Sequence, residues 1–389
     1  MSHWLSGIGI GLVVGISFVL VVHFAGVALM GSQEYEQPVQ ATSLQATATT
    51  SMAEQANTTP VWPASLDKTT YDQLLLGLVD YVPPQPMATT STTSVATAND
   101  LSALQYSSST NVTIPGQAWP PAAPYPDGGA ILPFERIVAY YGNFYSTRMG
   151  ILGEFPREQV LAQLASTSAA WEVADPDTPV RPAIHYIAMV AQAEAGSDGM
   201  YRNVMPDEHI ERAYSMAKEI DGIMFLDLQV GLSTIERELP QFRKYFTRPE
   251  VHLAIDPEFS MKSGDRPGTV IGSFNADDIN FTINWLSEIV RENQLPPKVL
   301  ILHRFTQNMV QGYRDIQPTP EVQVVVHMDG WGSTELKTST YRRVVESEPV
   351  QFAGLKIFYG NDLKPPSTGI FTPSEALELH PEPVYIQYQ

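Results

Sequence analysis

The stretch Val251-His252-Leu253-Ala254-Ile255-Asp256-Pro257-Glu258-Phe259 decides how this chain reads. Five residues, interrupted only by His252, run apolar and then stop at Asp-Pro-Glu. A strand buried on both faces reads as a short, nearly continuous apolar run, and polar residues begin where its following loop begins. The pattern returns in Lys298-Val299-Leu300-Ile301-Leu302-His303-Arg304 and in Val322-Gln323-Val324-Val325-Val326-His327-Met328-Asp329.

Eight strands in all are expected, at 136–141, 183–190, 222–229, 251–255, 298–303, 322–328, 355–359 and 384–387. Between them, 157–168, 207–220, 233–245, 276–293 and 336–346 carry apolar residues at helical spacing. Alternating strands and helices indicate βα units and a parallel sheet. Eight strands fit the roughly 250 residues of a (β/α)8 barrel. A doubly wound open sheet is the alternative, but no strand is followed by its Gly-rich phosphate loop. The expected fold is α/β, a TIM barrel over 131–389, preceded by a transmembrane helix and a disordered linker.

The charge distribution divides the chain in the same places. The 389 residues carry 42 acids against 23 bases, a net of -19, and no cysteine. Disulfides, thiolate metal sites and a cysteine nucleophile are excluded, and so acidic a chain is not a general nucleic-acid binder. Residues 4–30 are apolar or small except for Ser6, Ser17 and His23, long enough to cross a bilayer. They read as an uncleaved signal anchor, because the run is longer than a signal-peptide core and no basic residue precedes it. Cleavage at Gly26-Val27-Ala28 is the alternative. The Thr-, Ser- and Pro-rich residues 32–130 have a single base, Lys68, and read as an extracytoplasmic stalk with too little apolar surface to fold. One island in it, 71–79, reads as a transient helix begun near Asp67. A docking segment is the other reading.

In a (β/α)8 barrel the active site lies at the C-terminal strand ends. There stand Tyr140 and Tyr141, Asp227 and Gln229, Asp256 and Glu258, His303 and Arg304, then His327, Asp329 and Trp331. Side chains alternate along a strand, so Asp227 shares a face with Gln229, Asp256 with Glu258, and His327 with Asp329. Two carboxyl groups of separated proton affinity are what glycosidic cleavage needs. Glu258, beside Asp256, is the expected general acid, with Asp329 or Asp227 as the partner carboxylate. Tyr140, Tyr141, Phe144, Phe259 and Trp331 offer flat faces to sugar rings. Gln229, His303, Arg304 and His327 complete the expected substrate contacts.

Val138-Ala139-Tyr140-Tyr141-Gly142-Asn143-Phe144 and Asp256-Pro257-Glu258 resemble the first strand and the final Asp-x-Glu of the chitinase-like glycoside hydrolases. That resemblance implies a barrel in which Glu258 is the acid and Asp256 orients a substrate acetamido group. The sequence departs from that pattern elsewhere. Val251 and Ala254 occupy the two earlier Asp positions of the motif. Asp227-Leu228-Gln229-Val230-Gly231 replaces a Ser-x-Gly-Gly, and Met328-Asp329 only echoes a Met-x-Tyr-Asp. The runs at 226–231, 252–259 and 329–332 also look like an uncharacterised group of secreted or anchored bacterial proteins, which supports an extracytoplasmic location.

Two other functions fit the same residues. Asp227, Asp256, Glu258, His303, His327 and Asp329 are oxygen and nitrogen donors suited to a divalent-metal hydrolase, although no His-x-His or His-Glu-x-x-His spacing occurs. A non-catalytic barrel that binds a cell-wall glycan needs the aromatics but no acid and base. Neither a cofactor nor a metal is assigned. The expected partners are a glycan or cell-wall polymer and, through residues 4–30, a membrane. No Gly-x-Ser-x-Gly elbow is present. The loop 260–268 reads as a rim or lid that offers Lys262 and Arg266 to an anionic substrate.

Overall fold

The computed structural model describes residues 64–81, 104–105, 107–367 and 369–389. The apolar segment 4–30 and the linker stretches 32–63 and 82–103 lie outside the described residues. Among the described residues no helix is long and apolar enough to cross a membrane.

Eight parallel strands close into a barrel: β1 (Arg136–Gly142), β2 (Val180–Ala191), β3 (Ile223–Leu228), β4 (Val251–Ile255), β5 (Lys298–Arg304), β6 (Val322–Met328), β7 (Phe352–Ile357) and β8 (Tyr385–Tyr388). Each strand pairs with the next in the chain, and β1 closes the ring by pairing with both β2 and β8. The seventh strand lies a few residues earlier than its expected 355–359. Gly354 sits mid-strand, where glycine normally weakens a strand signal. A methyl group there would come within 3.0 Å of the His327 ring, so glycine makes room for that imidazole inside the barrel.

Helices cover the barrel only in part. The longer ones are α1 (Lys68–Gly77), α2 (Arg157–Ala174), α3 (Asp207–Glu219), α4 (Ala276–Asn293) and α5 (Thr334–Tyr341). Helix α4 shows why the sequence was readable. Asn275 and Asp278 form a reciprocal capping box, Ile279, Ile283 and Leu286 recur on its buried face, and Gln294 ends it in a left-handed conformation. The helix expected at 233–245 is instead three short turns, Ile235–Glu238, Leu239–Phe242 and Arg243–Phe246. Pro240 lacks the N–H that would carry the helix through. Between β5 and β6 the described residues form no full helix, only two single turns and the two-residue strand Val310–Gln311.

Strand alternation sorts the core into two shells. Val138, Tyr140, Ile184, Met224, Leu253 and Leu300 face outward against the helices. Ile137, Ala139, Ala183, Phe225, Ala254, Ile301 and Val325 fill the barrel. The inner shell continues through Tyr71 and Leu75 of α1 together with Tyr125 and Leu132. Helix α1 is therefore a plug, not a transient turn in a tether. Asp67 caps it through Thr69 and Thr70 N–H. Asp72 accepts Val112 N–H at 3.0 Å and the Tyr125 hydroxyl at 2.7 Å, tying the helix to the segment before β1. Residues 64–81 and 107–130, expected as stalk, thus include packed structure. A few apolar residues sufficed because the barrel supplied the rest of their core.

Candidate active site at the barrel mouth

At the C-terminal half of the barrel the interior turns from apolar to polar. Every strand contributes: Tyr141 from β1, His185 from β2, Asp227 from β3, Asp256 just after β4, His303 from β5, His327 and Asp329 at the end of β6, Lys356 from β7, and Tyr385 and Gln387 from β8. The register aligns them, with His303 opposite His327 and His327 opposite Gly354.

Asp227 is fully buried at the centre. Its Oδ2 lies 3.4 Å from His185 Nε2 and 3.4 Å from His303 Nε2. His303 turns its other nitrogen outward, and Nδ1–H donates to Asp329 Oδ2 at 2.8 Å. Lys356 Nζ stands 3.5 Å from the same carboxylate and 3.9 Å above the Tyr141 ring. On the far side, His185 Nδ1 is 2.6 Å from the Tyr385 hydroxyl, to which Gln387 also donates. His327 Nδ1 approaches His303 Nδ1 at 3.3 Å.

The charges in this cluster balance locally. Burial alone would raise Asp227, but the charge of His303 and contacts from both imidazoles hold its carboxyl far below the usual range. Burial opposes protonation of His303, yet Asp227 and Asp329 on either side push it up to about 10. Burial lowers His185 to about 4 and His327 well below the ordinary value. Asp329 is lowered because Lys356 and His303 outweigh its own burial. The floor of the mouth is therefore an alternating arrangement of fixed charges.

Above it stand two carboxyls pushed the other way. Burial raises Asp256 to about 7, with Asp329 and Asp227 adding to the rise and His303 opposing it. Burial, then Asp256, then Asp329 raise Glu258 well above the usual range. Pro257 starts a single 3-10 turn, in which Asp256 Oδ1 accepts Glu258 N–H at 3.0 Å and fixes the two carboxyls relative to each other. Gln229 bridges strands: its Oε1 accepts Ala191 N–H, and its Nε2 lies 3.4 Å from Asp256 Oδ2. Asp256 is closed off, whereas Glu258 and Asp329 keep a partial solvent face. The loop after β6 is pinned by buried Asp362, which accepts Gly332 N–H and Phe358 N–H and pairs with Lys337 at 2.9 Å.

Several expected contacts do not belong to the mouth. Tyr140 points outward, its hydroxyl 2.7 Å from Thr167 on α2. Arg304 is buried outside the barrel, donating to the carbonyls of Thr306, Gln307, Val310 and Val344 and pairing with Glu348. Phe144 stacks on Tyr186 with its centroid 4.8 Å away. Lys262 pairs with Asp278 at the start of α4. Trp331 stays half-buried at the rim with Lys364 over its ring. His185, Lys356, Tyr385 and Gln387 went unnoticed in the sequence. A histidine or lysine in mid-strand, two residues from an inward apolar position, was the available signal.

Among the described residues two groups have donor atoms close enough to share a metal ion, His185 with Asp227 and His303, and His303 with His327 and Asp329. No family model matches the chain, and no curated protein matches it.

Proposed function

We propose that the barrel mouth hydrolyses a glycosidic bond, with the Glu258 carboxyl as general acid. The observation that carries this reading is the split among the carboxyls. Glu258 and Asp256 are held toward the protonated form, while Asp329, at the end of β6, is held ionised. A site whose environment drives neighbouring carboxyls apart in proton affinity has its acid and its base assigned by that environment. Glu258, partly solvent-facing, protonates the leaving oxygen. Asp256 holds the turn that aims it. Asp329, fixed by His303 and Lys356, is the anion that faces the positive charge developing on the sugar. The resemblance of 256–258 to the chitinase-like hydrolases agrees with these roles and points to an N-acetylated sugar. The apolar segment 4–30 fits a membrane-anchored protein that meets its glycan outside the cytoplasm.

A second reading has its own support. Asp227, Asp256 and His303 are closed to solvent, and among the mouth's carboxyls only Glu258 and Asp329 keep a partial solvent face, which suits a barrel that binds a glycan at its rim without cleaving it. One comparison separates the two. Residues 64–389 are assayed for reducing-end release on peptidoglycan, chitooligosaccharides and neutral glycans, beside Glu258→Gln. Hydrolysis predicts release by the native protein, a fall of about 10²–10⁴-fold in the variant, and unchanged glycan affinity. Binding without release by either protein supports the non-catalytic barrel.

A further inference from the structure

We infer that His185, Asp227 and His303 form a binding site for a divalent transition-metal ion of the zinc type in the floor of the barrel, beneath Asp256 and Glu258. The inference goes beyond the glycan reading and does not rest on it.

The spacing is the first argument. Asp227 Oδ2 is 3.4 Å from each Nε2. A charge-assisted N–H···O bond closes to about 2.7–2.9 Å, and Asp329 makes one with His303 at 2.8 Å in the same cluster. Ligand atoms held by bonds of about 2.0–2.1 Å around a tetrahedral zinc ion stand about 3.3 Å apart. The Asp227 contacts have the spacing of ligands around an ion, whose binding would displace the Nε2 proton that His303 otherwise holds against Asp227.

The donor atoms are the second. His185 Nε2, His303 Nε2 and both Asp227 carboxylate oxygens are buried, and apart from their 3.4 Å contacts with one another and the neighbouring Tyr141 hydroxyl they make no hydrogen bond of acceptable geometry among the described residues. Leaving such groups unsatisfied costs about 1–3 kcal/mol each, more when charged. All three side chains are fully shielded from solvent, so water does not satisfy them from outside.

The outer contacts are the third. Both imidazoles are anchored through Nδ1, His303 by Asp329 and His185 by the Tyr385 hydroxyl at 2.6 Å with the Gln387 side-chain amide 3.1 Å from the same nitrogen, so both Nε2 atoms are turned inward toward Asp227. A ligating histidine is characteristically oriented this way, with its second nitrogen on a carboxylate or another oxygen. The neighbouring group of His303, His327 and Asp329 lacks this arrangement, because its 2.8 Å contact is an ordinary hydrogen bond. Two imidazoles and one carboxylate suit zinc and its first-row neighbours better than calcium or magnesium.

The test uses the full chain, purified without chelator and also unfolded and refolded with zinc sulfate or cobalt chloride, since the site is closed to solvent. Metal content is measured by mass spectrometry, and proton NMR of the cobalt form reads the ligands. One equivalent of metal per chain is expected, with two strongly shifted exchangeable imidazole N–H signals, from Nδ1 of His185 and His303. Asp227→Asn and His185→Gln are each expected to lose the ion, while His327→Gln keeps it. Refolded protein without bound metal would overturn the inference. So would an ion retained in both Asp227→Asn and His185→Gln, or a cobalt spectrum without shifted imidazole protons. The metal content and spectrum of the unaltered chain stand even if a variant does not fold.

Discussion

Asp256 and Glu258 concentrate the chemistry of the mouth into one turn of chain. A carboxyl whose folded-state proton affinity is raised opposes folding once it must ionise. Its cost is absent below the unfolded value near 4 and complete above the folded value of about 7. Asp256→Asn removes that cost. In chelated protein, urea denaturation is expected to show the variant gaining on the native chain from pH 4 to pH 7 and holding a constant lead above it. That lead is a few kcal/mol, since each tenfold rise in proton affinity is worth about 1.4 kcal/mol. A lead independent of pH would show that the Asp256 carboxyl keeps its ordinary proton affinity. At this scale the sequence was half legible. Asp227, His303, His327 and Asp329 announced themselves by ending apolar runs. Pairing Tyr140 with Tyr141 and His303 with Arg304 overlooked that adjacent strand residues face opposite sides. One of each pair had to leave the mouth, and Tyr140 and Arg304 did. Lys356 was hidden because a lysine between Leu355 and Ile357 ordinarily marks the solvent face of a strand.

Elements were legible wherever local chemistry set their ends. Val251–Ile255, Val322–Met328 and Ala276–Asn293 lie where their patterns placed them. The plug was not legible in its role. Its helix begins at the expected Asp67 cap, but its docking partners Val112, Tyr125 and Phe134 lie forty or more residues further along the chain, and no local pattern shows a tertiary contact. Tyr71→Ala removes a large, fully buried ring that packs against Tyr125 and Phe134. Chemical denaturation is expected to register a loss of about 3–5 kcal/mol. A fragment of residues 131–389, which lacks the plug, is expected to melt well below residues 64–389. Equal melting temperatures for the two would mean that α1 does not close the barrel in solution.

The whole molecule places its charges by depth. Apolar side chains fill the lower barrel, fixed charges of both signs form the floor of the mouth, and two proton-holding carboxyls lie above them. The barrel class followed from strand number and spacing, since eight apolar runs ending in polar residues leave few other closed arrangements. The reaction did not follow, because it depends on which carboxyls keep their protons, and that is set by neighbours brought together from eight strands. The most direct test of the account is the infrared spectrum of chelated residues 64–389 at pH 7, recorded as native minus Glu258→Gln. The carbonyl stretch of a protonated carboxylic acid is expected in the native protein, and its loss in the variant. A difference spectrum showing only ionised carboxylate at position 258 would contradict it.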